Sequence, residues 1–145
     1  MEYVSHSSEE TKAFGRKLAE AAKKGEVYAL IGNLGAGKTV LAKGFAEGIG
    51  ITEAVSSPTF TILQEYDEGR LPFYHFDVYR IDDPVEMDEI GFEDYLDGDG
   101  VCLVEWADEV RELMPADTIR IEIERAPELG DDIRIITVTG KQVEG

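Results

Sequence analysis

An apolar run from Val27 to Ile31 gives way to a glycine-rich stretch, and apolar residues then recur at Val40, Leu41, Phe45 and Ile49 up to Gly50. Such a run followed by 3.6-residue spacing predicts a buried strand, a turn and a helix closed by glycine. Upstream, Ser7 with Glu10 has the form of a capping box, and Phe14, Leu18, Ala21 and Ala22 keep helical spacing as far as Gly25. Downstream, residues 60–66 and 72–79 read as strands around Asp67-Glu68-Gly69-Arg70, a hairpin pattern. Pro84 opens a short acidic helix, a second lies near Phe92 to Leu96, and Gly98-Asp99-Gly100 breaks it. Val101 to Glu105 has the continuous apolar character of a buried parallel strand. A helix is predicted from Asp108 to Leu113, ahead of Pro115. Thr118 to Glu124 and Ile133 to Val138 alternate, which predicts two antiparallel strands. The order is α/β first and β-rich at the end, around a mixed sheet.

The glycine-rich stretch is Gly32-Asn33-Leu34-Gly35-Ala36-Gly37-Lys38-Thr39, which fits the phosphate-binding P-loop G-x-x-x-x-G-K-[ST]. Glycines let backbone N–H groups turn around an anion with no Cβ in the way. The helix that follows aims its unpaired N–H groups and positive dipole end at the same place. Lys38 is the point charge for the β- and γ-phosphates, and the Thr39 hydroxyl is placed to bind Mg²⁺. The expected architecture is a three-layer, P-loop NTPase-like α/β fold with a mixed sheet and antiparallel strands at the C-terminal end. At 145 residues it is expected to form one domain, 1–145.

Composition narrows the partners. The net charge of −17 argues against gripping a nucleic-acid backbone and against binding an anionic membrane. The segment Met1 to His6 has neither the basic start nor the apolar stretch of a secretory leader. Cys102, the single cysteine, sits in an apolar run and reads as a small buried hydrophobe. A cytoplasmic protein is expected. Because a nucleotide is itself an anion, a local cationic pocket with Mg²⁺ has to overcome a repulsive global field.

A P-loop needs an acid to hold Mg²⁺, usually at the end of an apolar strand. Glu105, after Val101 to Val104 and before Trp106, fits that place. Asp77 is the second acid. It lies in His75-Phe76-Asp77-Val78-Tyr79-Arg80, where alternation puts His75, Asp77 and Tyr79 on one face, amid residues that make an unpaired carboxylate costly. Orienting water and supporting Mg²⁺ from the outer shell are the roles open to it. His75 reads as a packed strand histidine and Ser57-Pro58-Thr59 as an ordinary turn. No [NT]-K-x-D guanine-reading sequence occurs; Thr11-Lys12-Ala13-Phe14 fails at its last position. ATP is therefore the expected nucleotide, by elimination.

Gly32 to Thr39, Ser57-Pro58-Thr59-Phe60, His75 to Arg80 and Val104-Glu105-Trp106 together resemble the bacterial TsaE (YjeE) proteins in order and spacing. The resemblance covers nearly the whole chain. It implies an ATPase of tRNA threonylcarbamoyladenosine synthesis that uses ATP and Mg²⁺ and works with TsaB-like and TsaD-like proteins, resetting that pair between turnovers. It implies nucleotide contacts along Gly32, Asn33, Leu34, Gly35, Ala36, Gly37, Lys38, Thr39 and Val40, with Thr11 near the adenine. It implies Thr39 and Glu105 as Mg²⁺ ligands, with Lys38, Asp77 and Glu105 as the catalytic set and Trp106 near the site. An acidic chain of this kind leaves the tRNA to its partners. Two other classes stay open: a small-molecule P-loop kinase, and a non-catalytic module whose interface is ordered by nucleotide.

Overall fold

The computed structural model describes residues 1–32, 36–52, 63–78, 83, 85–105 and 111–140. Their strands are β1 (Glu2–Ser5), β2 (Val27–Ile31), β3 (Leu63–Tyr66), β4 (Phe73–Asp77), β5 (Val101–Glu105), β6 (Ile119–Arg125) and β7 (Arg134–Thr139). The helices are α1 (Ser8–Glu20), α2 (Lys38–Ile49), α3 (Val85–Glu89) and α4 (Phe92–Leu96). The strands form one sheet in the order β1-β7-β6-β2-β5-β4-β3. Its centre, β6-β2-β5-β4, is parallel, and β7, β1 and β3 add antiparallel edges. This is the α/β fold with a mixed sheet that the sequence pattern predicts.

The sheet is covered on both faces. Tyr28, Leu30, Leu103, Ile121 and Ile123 meet Phe14 and Leu18 of α1 and Leu41, Phe45 and Ile49 of α2. Val27, Ala29, Phe76, Cys102 and Val104 meet Met87 of α3 and Phe92 of α4. Along β2, β4 and β5 successive side chains thus enter opposite layers, and both layers are apolar, which accounts for the unbroken hydrophobic runs. The Ser7 hydroxyl caps α1 by accepting from the Glu10 N–H at 3.1 Å, and the Glu10 carboxylate accepts from the His6 N–H at 3.2 Å.

One strand adds to the sequence reading and two expectations change. Glu2–Ser5, to which the pattern assigns no element, is a strand: it pairs with β7, with Tyr3 opposite Ile136. The first helix ends at Glu20 rather than running to Gly25. There the Arg70 guanidinium, from the β3–β4 turn, donates to the carbonyls of Ala19, Glu20 and Ala22 and satisfies the helix end. Residues 111–113 form a 3₁₀ turn rather than the end of an α-helix. The rest of that segment, Ser57-Pro58-Thr59-Phe60, Pro84, and Tyr79 with Arg80 lie outside the described residues. No described helix is long and apolar enough to cross a membrane.

Candidate functional site

The parallel strands bring their carboxyl ends to one edge, where the chain leaves β2 for the P-loop. Gly32 is needed there for packing: a Cβ would sit 2.6 Å from the Ile123 carbonyl oxygen on β6. Gly37 stands at the head of α2 with φ of 102°, in the left-handed region that suits glycine. Among the described residues no side chain caps α2, and its first turn holds no acid. Its first intrahelical bond runs from the Leu41 N–H to the Gly37 carbonyl at 3.0 Å. The uncapped end is the electrostatic complement of a phosphate.

Lys38 is buried in the first turn of α2. Burial pushes its ammonium pKa down, while the charges of Glu105 and Asp77 oppose that fall. Those two carboxylates end neighbouring parallel strands and stand in register, Asp77 beside Glu105. Lys38, His75, Asp77 and Glu105 are each at most 7% exposed. One ammonium thus faces two buried carboxylates, an excess of negative charge that suits a divalent cation. Among the described residues no group of three or more His, Cys, Asp or Glu side chains is arranged to hold a metal alone. That is compatible with Mg²⁺, which keeps several waters and takes one or two protein oxygens alongside phosphate. Thr39 is exposed on the same first turn and Val40 is half-buried.

His75 is more than a packed strand residue. It is 1% exposed, stacks on Phe73 with ring centroids 5.8 Å apart, and its Nε2 lies 2.6 Å from Glu105 Oε2. Its Nδ1 is buried with no hydrogen-bond partner among the described residues. Leaving such an atom unsatisfied costs about 1–3 kcal/mol, so a phenylalanine would fill this position better if filling were the whole requirement.

Arg134, at the start of β7, escaped the sequence reading. Its Nε donates to the Ala36 carbonyl at 3.0 Å, and its Nη1 donates to the carbonyls of Asp131 at 2.9 Å and Ile133 at 3.0 Å. The guanidinium therefore ties the P-loop to the β6–β7 turn. Nothing local announces a bond across 98 positions. Arg134 stands in register with Ser5, whose hydroxyl lies 2.7 Å from that of the buried Thr11. Thr11 is thus linked through β1 to the strand that braces the P-loop. Lys38, Asp77, Glu105 and His75 form one group; Asn33, Leu34, Gly35 and Trp106 lie outside the described residues.

Fold and site together define a P-loop α/β protein with a pair of acids at the strand ends. The family model described as "Threonylcarbamoyl adenosine biosynthesis protein TsaE" matches residues 5–133. The chain is 54% identical over 131 residues to the tRNA threonylcarbamoyladenosine biosynthesis protein TsaE of Bacillus subtilis, spanning 90% of this chain and 80% of that protein. It is 41% identical over 138 residues to the protein of the same name from Treponema pallidum, spanning 95% and 99%. The crystal structure of Bacillus subtilis YdiB superposes with a TM-score of 0.82 at 47% identity, covering 95% of this chain and 83% of that one. The chain belongs to the TsaE family.

Proposed function

We propose that this chain is the ATP-binding and ATP-hydrolysing component of tRNA threonylcarbamoyladenosine biosynthesis, dependent on Mg²⁺ and activated by a TsaB–TsaD-like pair that it resets between turnovers. The observation that carries the reading is the meeting of buried Lys38 with Asp77 and Glu105 beside the uncapped start of α2. Family membership supports the pathway. In this reading the P-loop backbone and Lys38 hold the β- and γ-phosphates, with contacts running from Gly32 to Val40 and Thr11 toward the adenine. Thr39 and Glu105 hold Mg²⁺, which when bound supplies charge neutralisation across the phosphates. Asp77 orients the attacking water. Turnover by the chain alone is expected to be slow, because no arginine of the sequence is evidently placed as a finger for the phosphate; Arg80 is the only one inside a motif.

The test is phosphate release measured with and without the TsaB–TsaD-like pair. Release that rises with the pair supports the proposal; fast release indifferent to it overturns activation. Lys38→Ala is expected to weaken ATP binding about 10- to 100-fold, the loss of a charge-assisted contact. Asp77→Asn is expected to keep binding and to lower hydrolysis at least about 100-fold. Label transferred from ATP to an acceptor other than water would mark a kinase.

A further inference from the structure

We propose that His75 is a positioning residue that fixes the Glu105 carboxylate for the cation, an inference that rests on the assignment of Glu105 under the proposed function. The two side chains are diagonal neighbours on adjacent parallel strands: His75 lies opposite Leu103, two residues before Glu105. The Nε2 of His75 lies 2.6 Å from Oε2, both groups are buried, and an ionised carboxylate only accepts, so Nε2 carries the proton and donates. The imidazole plane is held from its other side by the stack on Phe73.

The arrangement answers a specific problem of this site. A glutamate has three rotatable side-chain bonds, and the charge of Lys38 acts on Glu105. A carboxylate with no other anchor would swing to that ammonium and set two groups against each other that the site needs apart. One oxygen held by His75 leaves the other for a cation and removes the cost of ordering the side chain when the cation arrives. The alternative, that His75 only fills the core, does not account for its unsatisfied Nδ1. A core filler would be apolar.

The experiment compares His75→Gln, His75→Asn and His75→Phe. Glutamine carries an amide N–H about as far from the backbone as Nε2. Asparagine carries the same group too short to reach Glu105, and phenylalanine keeps the ring without the donor. Binding of N-methylanthraniloyl-ATP is titrated with Mg²⁺ and, separately, in EDTA. His75→Asn and His75→Phe are expected to raise the Mg²⁺ midpoint about tenfold or more, while His75→Gln stays within about threefold. Affinity in EDTA is expected to change less than about twofold in all three, which also reports that each variant is folded. The proposal is overturned if His75→Asn keeps the native midpoint, if Asn and Gln shift it equally, or if EDTA affinity falls in parallel. Glu105→Gln separates the two levels. If it too leaves the midpoint unchanged, the Glu105 assignment fails and the proposal with it; if it shifts the midpoint while His75→Asn does not, the positioning role alone fails.

Discussion

Arg134 shows how one side chain couples distant parts of this molecule. Its guanidinium spans three backbone carbonyls, on Ala36, Asp131 and Ile133, and a planar fork of donors is the group that can do this at once. Arg134→Ala removes the Nε donor from the carbonyl of buried Ala36 and lets the P-loop turn relax. A loss of about 1–3 kcal/mol in urea-unfolding stability is expected, with weaker ATP binding on the same variant. Arg134→Lys, a single ammonium, is expected to fall between the two. Unchanged ATP affinity in Arg134→Ala would separate the brace from the phosphate site. Lys38, Asp77 and Glu105 were legible in the sequence because motif spacing and strand patterning announce them locally. Arg134 and the Nε2 bond of His75 were not, because each depends on which strands become neighbours.

At the scale of elements, the α1–α2 contact decides between two opposed effects of one substitution. A glycine inside an exposed helix costs about 1 kcal/mol against alanine, so Gly44→Ala should stabilise on propensity alone. Yet a Cβ on Gly44 would collide with the backbone carbonyl of Lys12, one on Gly15 with that of Leu41, and one on Gly48 with that of Arg16. The helices approach so closely that the added methyl meets backbone, which cannot rotate away. Overpacking wins: Gly44→Ala is expected to destabilise by about 1–3 kcal/mol, read as a lower Tm. On the rim of the same contact Glu47 accepts from Lys12 at 2.9 Å and Arg16 at 2.9 Å, which hold its carboxyl below the usual range. A carboxyl depressed in the folded state contributes stability above its unfolded pKa and loses it as pH falls through the folded value. Glu47→Gln should therefore flatten the stability–pH slope below about pH 4.5, by under about 1 kcal/mol because the group is exposed. Elements with self-contained signals were readable: β2, α2 to its stop at Gly50, the β3–β4 hairpin and β5. β1 was not, since Glu2–Ser5 carries no period of its own and becomes a strand only by pairing with β7. The three-layer arrangement was readable from unbroken apolar runs; the close α1–α2 approach was encoded in glycines that in isolation read as weak helix positions.

At the scale of the whole molecule the net charge of −17 and the chemistry of the site act in the same direction. The long-range field repels a nucleotide, and the pocket itself sets two carboxylates against the one ammonium of Lys38. A basic nucleotide-binding surface would steer ATP inward and lose on-rate with salt; this chain is expected to do the opposite. The field of the distant surface acids is screened over about 8–10 Å at ionic strengths near 0.1–0.15 M, whereas the phosphate contacts of the proposed function would act at short range and be screened little. Added salt therefore removes more of the repulsion than of the attraction. Stopped-flow association of N-methylanthraniloyl-ATP at fixed free Mg²⁺ should accelerate by about 2- to 5-fold between roughly 20 and 200 mM NaCl, with a smaller change in the dissociation rate. The same screening relieves self-repulsion of the folded chain, so Tm should rise over that range. An on-rate that falls with salt would mean that a cationic surface outside the described residues dominates the approach of the nucleotide, and that the acidic balance of the chain is spent elsewhere than at this edge of the sheet.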